Sequence, residues 1–279
     1  MANPRASEKT ANRIPPTAPA CDGCPIRNLR RHGLNVAGWD YVVALAGNPN
    51  TGKSTIFNAL TGLRQHVGNW PGKTVVRAEG AFTFGGKRFK LVDLPGTYSL
   101  LSNSVDEEVA RDFLLFGRPD VTVVVTDATC LERNLNLVLQ VLEITDQVVV
   151  AVNLMDEARR HGLRVDTRAL ARELGAPCVP MAARAGEGVS ELLGAIHDVA
   201  TGALRAASKR HVPLDPETEQ AVQHLADELE QLYPGLPNAR WVALRLIEGD
   251  ASVEREILAG TLGQIAHATH AGAASGGAA

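Results

Sequence analysis

Apolar positions along the chain follow two periods in alternation. Tyr41-Val42-Val43-Ala44-Leu45-Ala46 is a continuous apolar run that enters a glycine-rich turn. Similar short runs follow at Lys90-Leu91-Val92, at residues 121–125 (Val-Thr-Val-Val-Val) and at residues 148–152 (Val-Val-Val-Ala-Val), with a shorter one at Cys178-Val179-Pro180. β-Branched runs of this kind suit strands covered on both faces. Between them apolar residues recur at helical spacing. Val105, Val109, Phe113 and Phe116 make one face, Leu131, Leu135, Val138 and Leu142 a second, and Val189, Leu192, Leu193, Ile196 and Val199 a third. Gly85-Gly86 separates Phe82-Thr83-Phe84 from Phe89 as a hairpin turn would, which predicts one antiparallel strand at the sheet edge. The pattern predicts an α/β domain over residues 39–205, with a mixed, mostly parallel sheet and helices on both faces.

Beyond Pro213 the strand pattern stops. Asp215 or Thr218 can cap a helix carrying Val222, Leu225, Leu229 and Leu232. Pro234 and Pro237 interrupt it, and apolar periodicity resumes from Trp241 to Ile247 and at Val253, Ile257, Leu262 and Ile265. This predicts a small all-helical subdomain over residues 206–268. Residues 1–38, with Pro4, Pro15, Pro16 and Pro19 among small and polar residues, read as a flexible arm, and residues 269–279 as a low-complexity tail.

Composition narrows the function. The 279 residues carry 28 Lys+Arg against 31 Asp+Glu, a formal charge of −3, which argues against a nucleic-acid-binding surface. Only 4% of residues are aromatic, so the core must rest on Val, Leu, Ile and Ala. No apolar run is long enough for a membrane span, and the N-terminus lacks a signal-peptide core; both lead to the expectation of a cytoplasmic chain.

The candidate chemistry begins at the end of the first strand. Gly47-Asn48-Pro49-Asn50-Thr51-Gly52-Lys53-Ser54, followed by Thr55, matches G-x-x-x-x-G-K-[ST] between a strand and a helix. Such a loop turns successive backbone N–H groups toward phosphate oxygens beside a helix N-terminus; Lys53 would reach the β/γ-phosphates and Ser54 would ligate Mg²⁺. Asp93-Leu94-Pro95-Gly96 closes a strand about 40 residues on, where Asp93 can hold a Mg²⁺-bound water and Gly96 can offer its N–H to a γ-phosphate. Asn153-Leu154-Met155-Asp156 closes another strand, and the Asp156 carboxylate can accept two hydrogen bonds from guanine, a donor pair that adenine lacks. Leu154 stands where the usual motif has Lys. Ala182-Ala183-Arg184 follows the next strand, with the Ala183 N–H as the expected donor to the guanine O6 and Ala182 in place of a common Ser. The order of these elements predicts GTP and a P-loop, small-GTPase-like fold.

These motifs, with Val67-Gly68-Asn69-Trp70-Pro71-Gly72-Lys73-Thr74-Val75, Asp93-Leu94-Pro95-Gly96-Thr97-Tyr98-Ser99-Leu100, Asp127-Ala128-Thr129, Leu131-Glu132-Arg133-Asn134-Leu135, Arg240-Trp241 and Leu246-Ile247-Glu248-Gly249-Asp250, resemble the N-terminal cytosolic G-protein region of the bacterial ferrous iron transporter FeoB, over about residues 40–265. The resemblance implies that Thr74 is the switch I threonine closing over Mg²⁺ and γ-phosphate, with Gly72 and Lys73 beside the nucleotide. It also implies that Asn50 helps to hold an activating K⁺, and that the helical part couples nucleotide state to a membrane-embedded iron permease portion missing from this chain. The catalytic set is then Asn50, Lys53, Thr74 and Gly96, and the metal ligands are Ser54, Thr74 and Asp93 for Mg²⁺ and Asn50 for K⁺. Thr97 occupies the place where Ras-type enzymes put a water-orienting Gln, so Asn50, K⁺ and switch I backbone groups would carry more of the catalysis. Small Feo-type accessory proteins and a homo-oligomer are further partners compatible with the resemblance, and the full-length protein would place this region at the cytoplasmic face of the inner membrane.

Other readings stay open at this point. A soluble GTPase of ribosome assembly or tRNA modification shares the same motifs, although residues 205–270 are mildly acidic, and a sensor could bind GTP and GDP with negligible turnover. Cys21-Asp22-Gly23-Cys24, with His32 nearby, is open between a metal site, a redox pair and two exposed thiols. Cys130 and Cys178 are expected in the core, Trp70 in or beside switch I, and His66 in an exposed loop.

Overall fold

The computed structural model describes residue 29 and residues 33–62, 65–101, 104–204, 214–234, 236 and 238–258. Seven strands form one sheet in the order β2-β3-β4-β1-β5-β6-β7. They are β1 (Tyr41–Gly47), β2 (Gln65–Asn69), β3 (Val76–Phe84), β4 (Lys87–Asp93), β5 (Val121–Asp127), β6 (Val148–Asn153) and β7 (Cys178–Pro180). Strands β4, β1, β5, β6 and β7 run parallel, while β2 and β3 are antiparallel. The hairpin at Gly85-Gly86 is present, both glycines having positive φ. The antiparallel edge holds two strands where the sequence predicts one. β2 reads Gln-His-Val-Gly-Asn and has no apolar alternation to reveal it.

Alternate residues of β1 serve opposite faces. Val43 and Leu45 pack with Ile56 and Phe57 of α1 (Lys53–Thr61) and with Leu192 and Ile196 of α6 (Val189–Ala200). Val42, Ala44 and Ala46 face the other way, into a cluster that includes Val109 of α2 (Val105–Asp112), Phe113 of the π-helical turn Phe113–Gly117, and Val138 of α3 (Leu131–Ile144). Period-2 alternation inside continuous apolar runs gives the two-sided core that the composition requires. Val105 departs from its expected face: it opens α2 behind the Ser104 cap and is 49% exposed. Short helices α4 (Met155–Arg160) and α5 (Thr167–Leu174) join β6 to β7.

The C-terminal helices are α7 (Pro216–Leu232), α8 (Ala239–Ile247) and α9 (Ala251–Leu258). Asp215 caps α7 by accepting the Thr218 N–H at 3.0 Å. Val222, Leu229, Trp241 and Val242 belong to the same buried cluster as Phe113 and Val138, so the helical subdomain shares a core with the sheet. Leu232, expected on the buried face, is 72% exposed at the end of its helix. Arg111, 1% exposed, extends Nη1 to 3.5 Å from Asp250 at the start of α9, while Asp112 holds its Nη2. Among the described residues no helix is long and apolar enough to cross a membrane.

The expectation of a flexible arm through residue 38 fails for its last residues. Leu29, Leu34 and Val36 are 2–4% exposed and join the cluster that contains Trp70 and Phe113. Three apolar residues with neither helical nor strand spacing give no periodic signal, so only the tertiary contact reveals them. Cys21, Cys24, His32, the linker 205–213, Leu262, Ile265 and the 269–279 tail lie outside the described residues. Cys130 is exposed instead of buried, because it occupies the position just before α3, whereas Cys178 is half-buried and burial pushes its thiol up to about 12.

Candidate functional site

Most of the predicted residues lie at the C-terminal ends of β1, β4 and β6 and in the loop after β7. β1 ends at Gly47, and residues 48–52 wrap back to begin α1. Asn50 (φ 66°) and Gly52 (φ 84°) adopt left-handed backbone, and the Thr51 hydroxyl donates to the Asn48 carbonyl at 2.9 Å. These turns face the N-terminal N–H groups of α1, which begins at Lys53 with no side-chain cap and therefore leaves them for an anion. Asn48 is 3% exposed, and both polar atoms of its side chain lack a hydrogen-bond partner among the described residues. Pro49 packs against Gly96, where an added Cβ would sit 3.5 Å from it. Ser54 and Thr55 are exposed at the first turn of α1, and the exposed Asn50 amide makes no hydrogen bond among the described residues.

Lys53 Nζ donates to Asp93 Oδ1 at 2.5 Å and to the Leu94 carbonyl at 2.7 Å. Burial pushes the Asp93 carboxyl above its ordinary value, and the Lys53 ammonium opposes that shift. The carboxylate is thus aimed at a cation, with the lysine serving as that cation in this arrangement. Thr97 is 4% exposed and its N–H reaches the Gly47 carbonyl at 3.3 Å, so its side chain is held in the protein interior.

The base-reading end is built around Asn153. Its side chain, 1% exposed, donates to the Thr51 carbonyl at 2.9 Å and accepts the Ala183 N–H at 3.0 Å. One amide therefore joins the phosphate loop to the loop after β7. In this arrangement the Ala183 N–H, the expected donor to the guanine O6, donates to Asn153 Oδ1. Leu154 takes φ 62° and turns the chain so that Asp156 follows on α4, its carboxylate half-exposed and 3.5 Å from Arg160. Ala182 is buried and paired with Glu187, and Arg184 is exposed.

The segment expected to serve as switch I stands apart. Residues 70–75 close a hairpin through Trp70 N–H to the Val75 carbonyl (3.0 Å) and Lys73 N–H to the Trp70 carbonyl (3.0 Å), and Thr74 is exposed in that turn. Ala78 is in register with Asp93, so Thr74 lies on the order of 10 Å beyond that pair along the chain. The hairpin thus keeps Thr74 and Gly72 in the edge turn, beyond the Ala78–Asp93 pair along the strand. Lys73 turns to α2 and donates to Glu108 at 2.8 Å. Sequence reasoning missed Glu108 as its partner. The pairing spans 35 residues, and the acidic first turn after the Ser104 cap is the one local signal of it.

Mg²⁺ takes hard oxygen ligands. The Ser54 hydroxyl and the Asp93 carboxylate fit that requirement, and the lysine already seated on Asp93 shows the carboxylate presented to positive charge. One exposed amide, that of Asn50, does not by itself define a K⁺ site.

Comparison with known proteins agrees with this geometry. Residues 41–196 match the family model described as ferrous iron transport protein B, and residues 215–271 match the FeoB cytosolic helical domain. The Fe(2+) transporter FeoB of Escherichia coli K12 is 41% identical over 215 residues, which cover 75% of this chain and 27% of the transporter. The chain thus spans about a quarter of the length of the curated relatives it matches. The cytosolic domain of L. pneumophila FeoB superposes with a TM-score of 0.72 at 35% identity, covering 80% of this chain and 88% of that one. An S. thermophilus NFeoB N11A mutant bound to mGDP superposes with a TM-score of 0.70 at 36% identity, covering 77% and 82%. With family models matched over both its sheet domain and its helical subdomain, the chain belongs to the FeoB family and comprises its G domain followed by its cytosolic helical domain.

Proposed function

We propose that the chain binds GTP and hydrolyses it with Mg²⁺, as the cytosolic switch that regulates ferrous iron uptake in a longer FeoB-type protein. The observation that carries this reading is the Asn153 side chain, which ties the phosphate loop at Thr51 to the base loop at Ala183 and so sets phosphate and guanine recognition on one rigid edge. Asp156 at the same strand end supplies the carboxylate that favours guanine over adenine.

Lys53 would move from Asp93 to the β/γ-phosphates, leaving Asp93 and Ser54 to hold Mg²⁺ as Thr74 swings in from the hairpin. Mg²⁺ supplies neutralisation of charge that develops on the phosphates during transfer. The P-loop N–H groups and Gly96 would orient the γ-phosphate, and Thr97, held inside, would take no part in orienting water. Asn50, with its free amide and left-handed backbone, is the residue that would hold an activating K⁺.

Phosphate release under saturating Mg²⁺-GTP, in K⁺ and in Na⁺, tests the reading. The expected outcome is turnover that is faster in K⁺ and loses that preference in Asn50→Ala. Equal rates for both proteins in both salts would remove the K⁺ role, and binding without phosphate release would make the chain a nucleotide sensor.

A further inference from the structure

The segment ahead of β1 is seated on switch I. Gly33, at φ 75°, gives its carbonyl to Arg77 Nη2 at 3.1 Å, and an added Cβ there would lie 3.0 Å from both Pro71 Cγ and Arg77 Nη1. The Asn35 carbonyl accepts from Lys90 Nζ at 2.7 Å. Beneath them, Glu79 pairs with Arg77 at 2.8 Å and with Lys90 at 2.6 Å, all three side chains being largely buried. Strap carbonyls thus accept from two cations that the sheet has drawn out of water, and Leu34 and Val36 drop into the core on either side of Asn35.

Arg77 is the junction. It lies three residues after Thr74, and its guanidinium stands 5.4 Å above the Trp70 ring. Trp70 is 3% exposed and meets Phe113 edge-on with centroids 5.2 Å apart. One face of Arg77 therefore holds the tryptophan that closes the hairpin, while its fork reaches the strap. A lysine could match the charge but not this two-sided geometry.

We propose that residues 33–36 act as an intramolecular brake on switch I, with Arg77 as the positioning residue through which the brake holds the hairpin closed. The proposal rests on the reading of Thr74 as the residue that must leave the hairpin for Mg²⁺-GTP. While Gly33 and Asn35 seat Arg77 and Lys90, β3 stays paired with β2 and Thr74 remains in the turn. Displacing the strap lowers the barrier to that movement, so the triphosphate-competent arrangement is reached more often.

The test uses the full chain, as wild type, Gly33→Val and Arg77→Lys. Gly33→Val places a β-branched side chain where φ is positive and where Pro71 and Arg77 leave no room, and Arg77→Lys keeps the charge beside Glu79 but loses the fork. Amide exchange over residues 66–77 is read without nucleotide, with residues 121–125 and 148–152 as internal controls, followed by association of a fluorescent non-hydrolysable GTP analogue with Mg²⁺. Both variants are expected to exchange about tenfold faster over 66–77 with unchanged control strands, and to bind the analogue several-fold faster. Unchanged exchange over 66–77, loosening shared equally by the control strands, or unchanged association despite faster exchange would each overturn the brake. A wild type that binds no guanine nucleotide would instead overturn the functional reading, and the exchange arm would then decide alone whether the strap holds the hairpin.

Discussion

Gly52 and Asn153 stand so close that no Cβ fits between them: a methyl on Gly52 would meet the Asn153 Nδ2. That amide nitrogen donates to the Thr51 carbonyl, so the contact and the hydrogen bond share the same space. Gly52 also takes φ 84°, a region that disfavours any side chain. Gly52→Ala is therefore expected to lower stability by about 1–3 kcal/mol and to weaken GDP binding strongly, as read by denaturant unfolding and by titration with fluorescent GDP. A variant with wild-type affinity would show that the brace is not needed to shape the phosphate loop.

The helical subdomain is tied to α2 through Arg111 and Asp250. Arg111 is 1% and Asp250 11% exposed, so their attraction is poorly screened by water. Removing one carboxylate leaves a buried guanidinium with less compensation. Asp250→Ala is expected to lose about 1–3 kcal/mol, with amide exchange rising first in α8 and α9, measured by thermal unfolding and local exchange. Loss confined to the sheet would contradict the assignment of this pair as the tie.

Lys73 and Glu108 predict a pH dependence. The hydrogen bond from Lys73 lowers the Glu108 carboxyl below its ordinary value of 4.5, burial opposes that shift, and the charges of Lys73, Arg111 and Arg255 reinforce it. A carboxyl depressed in the folded state stabilises that state above its unfolded value, and the contribution fades as pH falls through the lower folded value. Wild type is expected to exceed Glu108→Gln by at most ~1 kcal/mol at pH 7, since Lys73 is partly solvated. The difference should close as pH drops below about 4.5, followed by unfolding at fixed denaturant. A difference that widens toward acid would reverse the sign of the argument.

Much of the site was legible because its chemistry is local. The eight residues from Gly47 to Ser54 declare a phosphate loop without tertiary information, and the Asp93 and Asn153 motifs each sit at the end of an apolar strand run. The central strands were legible for the same reason, through continuous β-branched runs. What escaped were relationships between distant residues. Arg111 and Asp250 are 139 residues apart, and Lys73 and Glu108 are 35 apart. The β2 strand has a single large apolar residue, Val67, which is exposed, so no period marked it. The strap ahead of β1 depends on Leu34 and Val36 finding a waiting sheet face, which a local pattern does not encode. The bond from the Ala183 N–H was not legible either, because it depends on Asn153, 30 residues earlier, folding across to it.

Discrimination between nucleotides decides whether Asp156 reads guanine. Phosphate release from GTP, ATP and xanthosine triphosphate is measured with Mg²⁺ for wild type and for Asp156→Asn. Asp156 is half-exposed and unencumbered except for a 3.5 Å contact with Arg160, so the substitution changes base reading with little effect on the fold. Wild type should turn over GTP and not ATP; Asp156→Asn should lose at least ~100-fold in kcat/KM for GTP and gain the xanthine nucleotide, whose C2 carbonyl accepts from the new amide. Comparable turnover of ATP and GTP by wild type, or a GTP rate untouched by Asp156→Asn, would contradict the account.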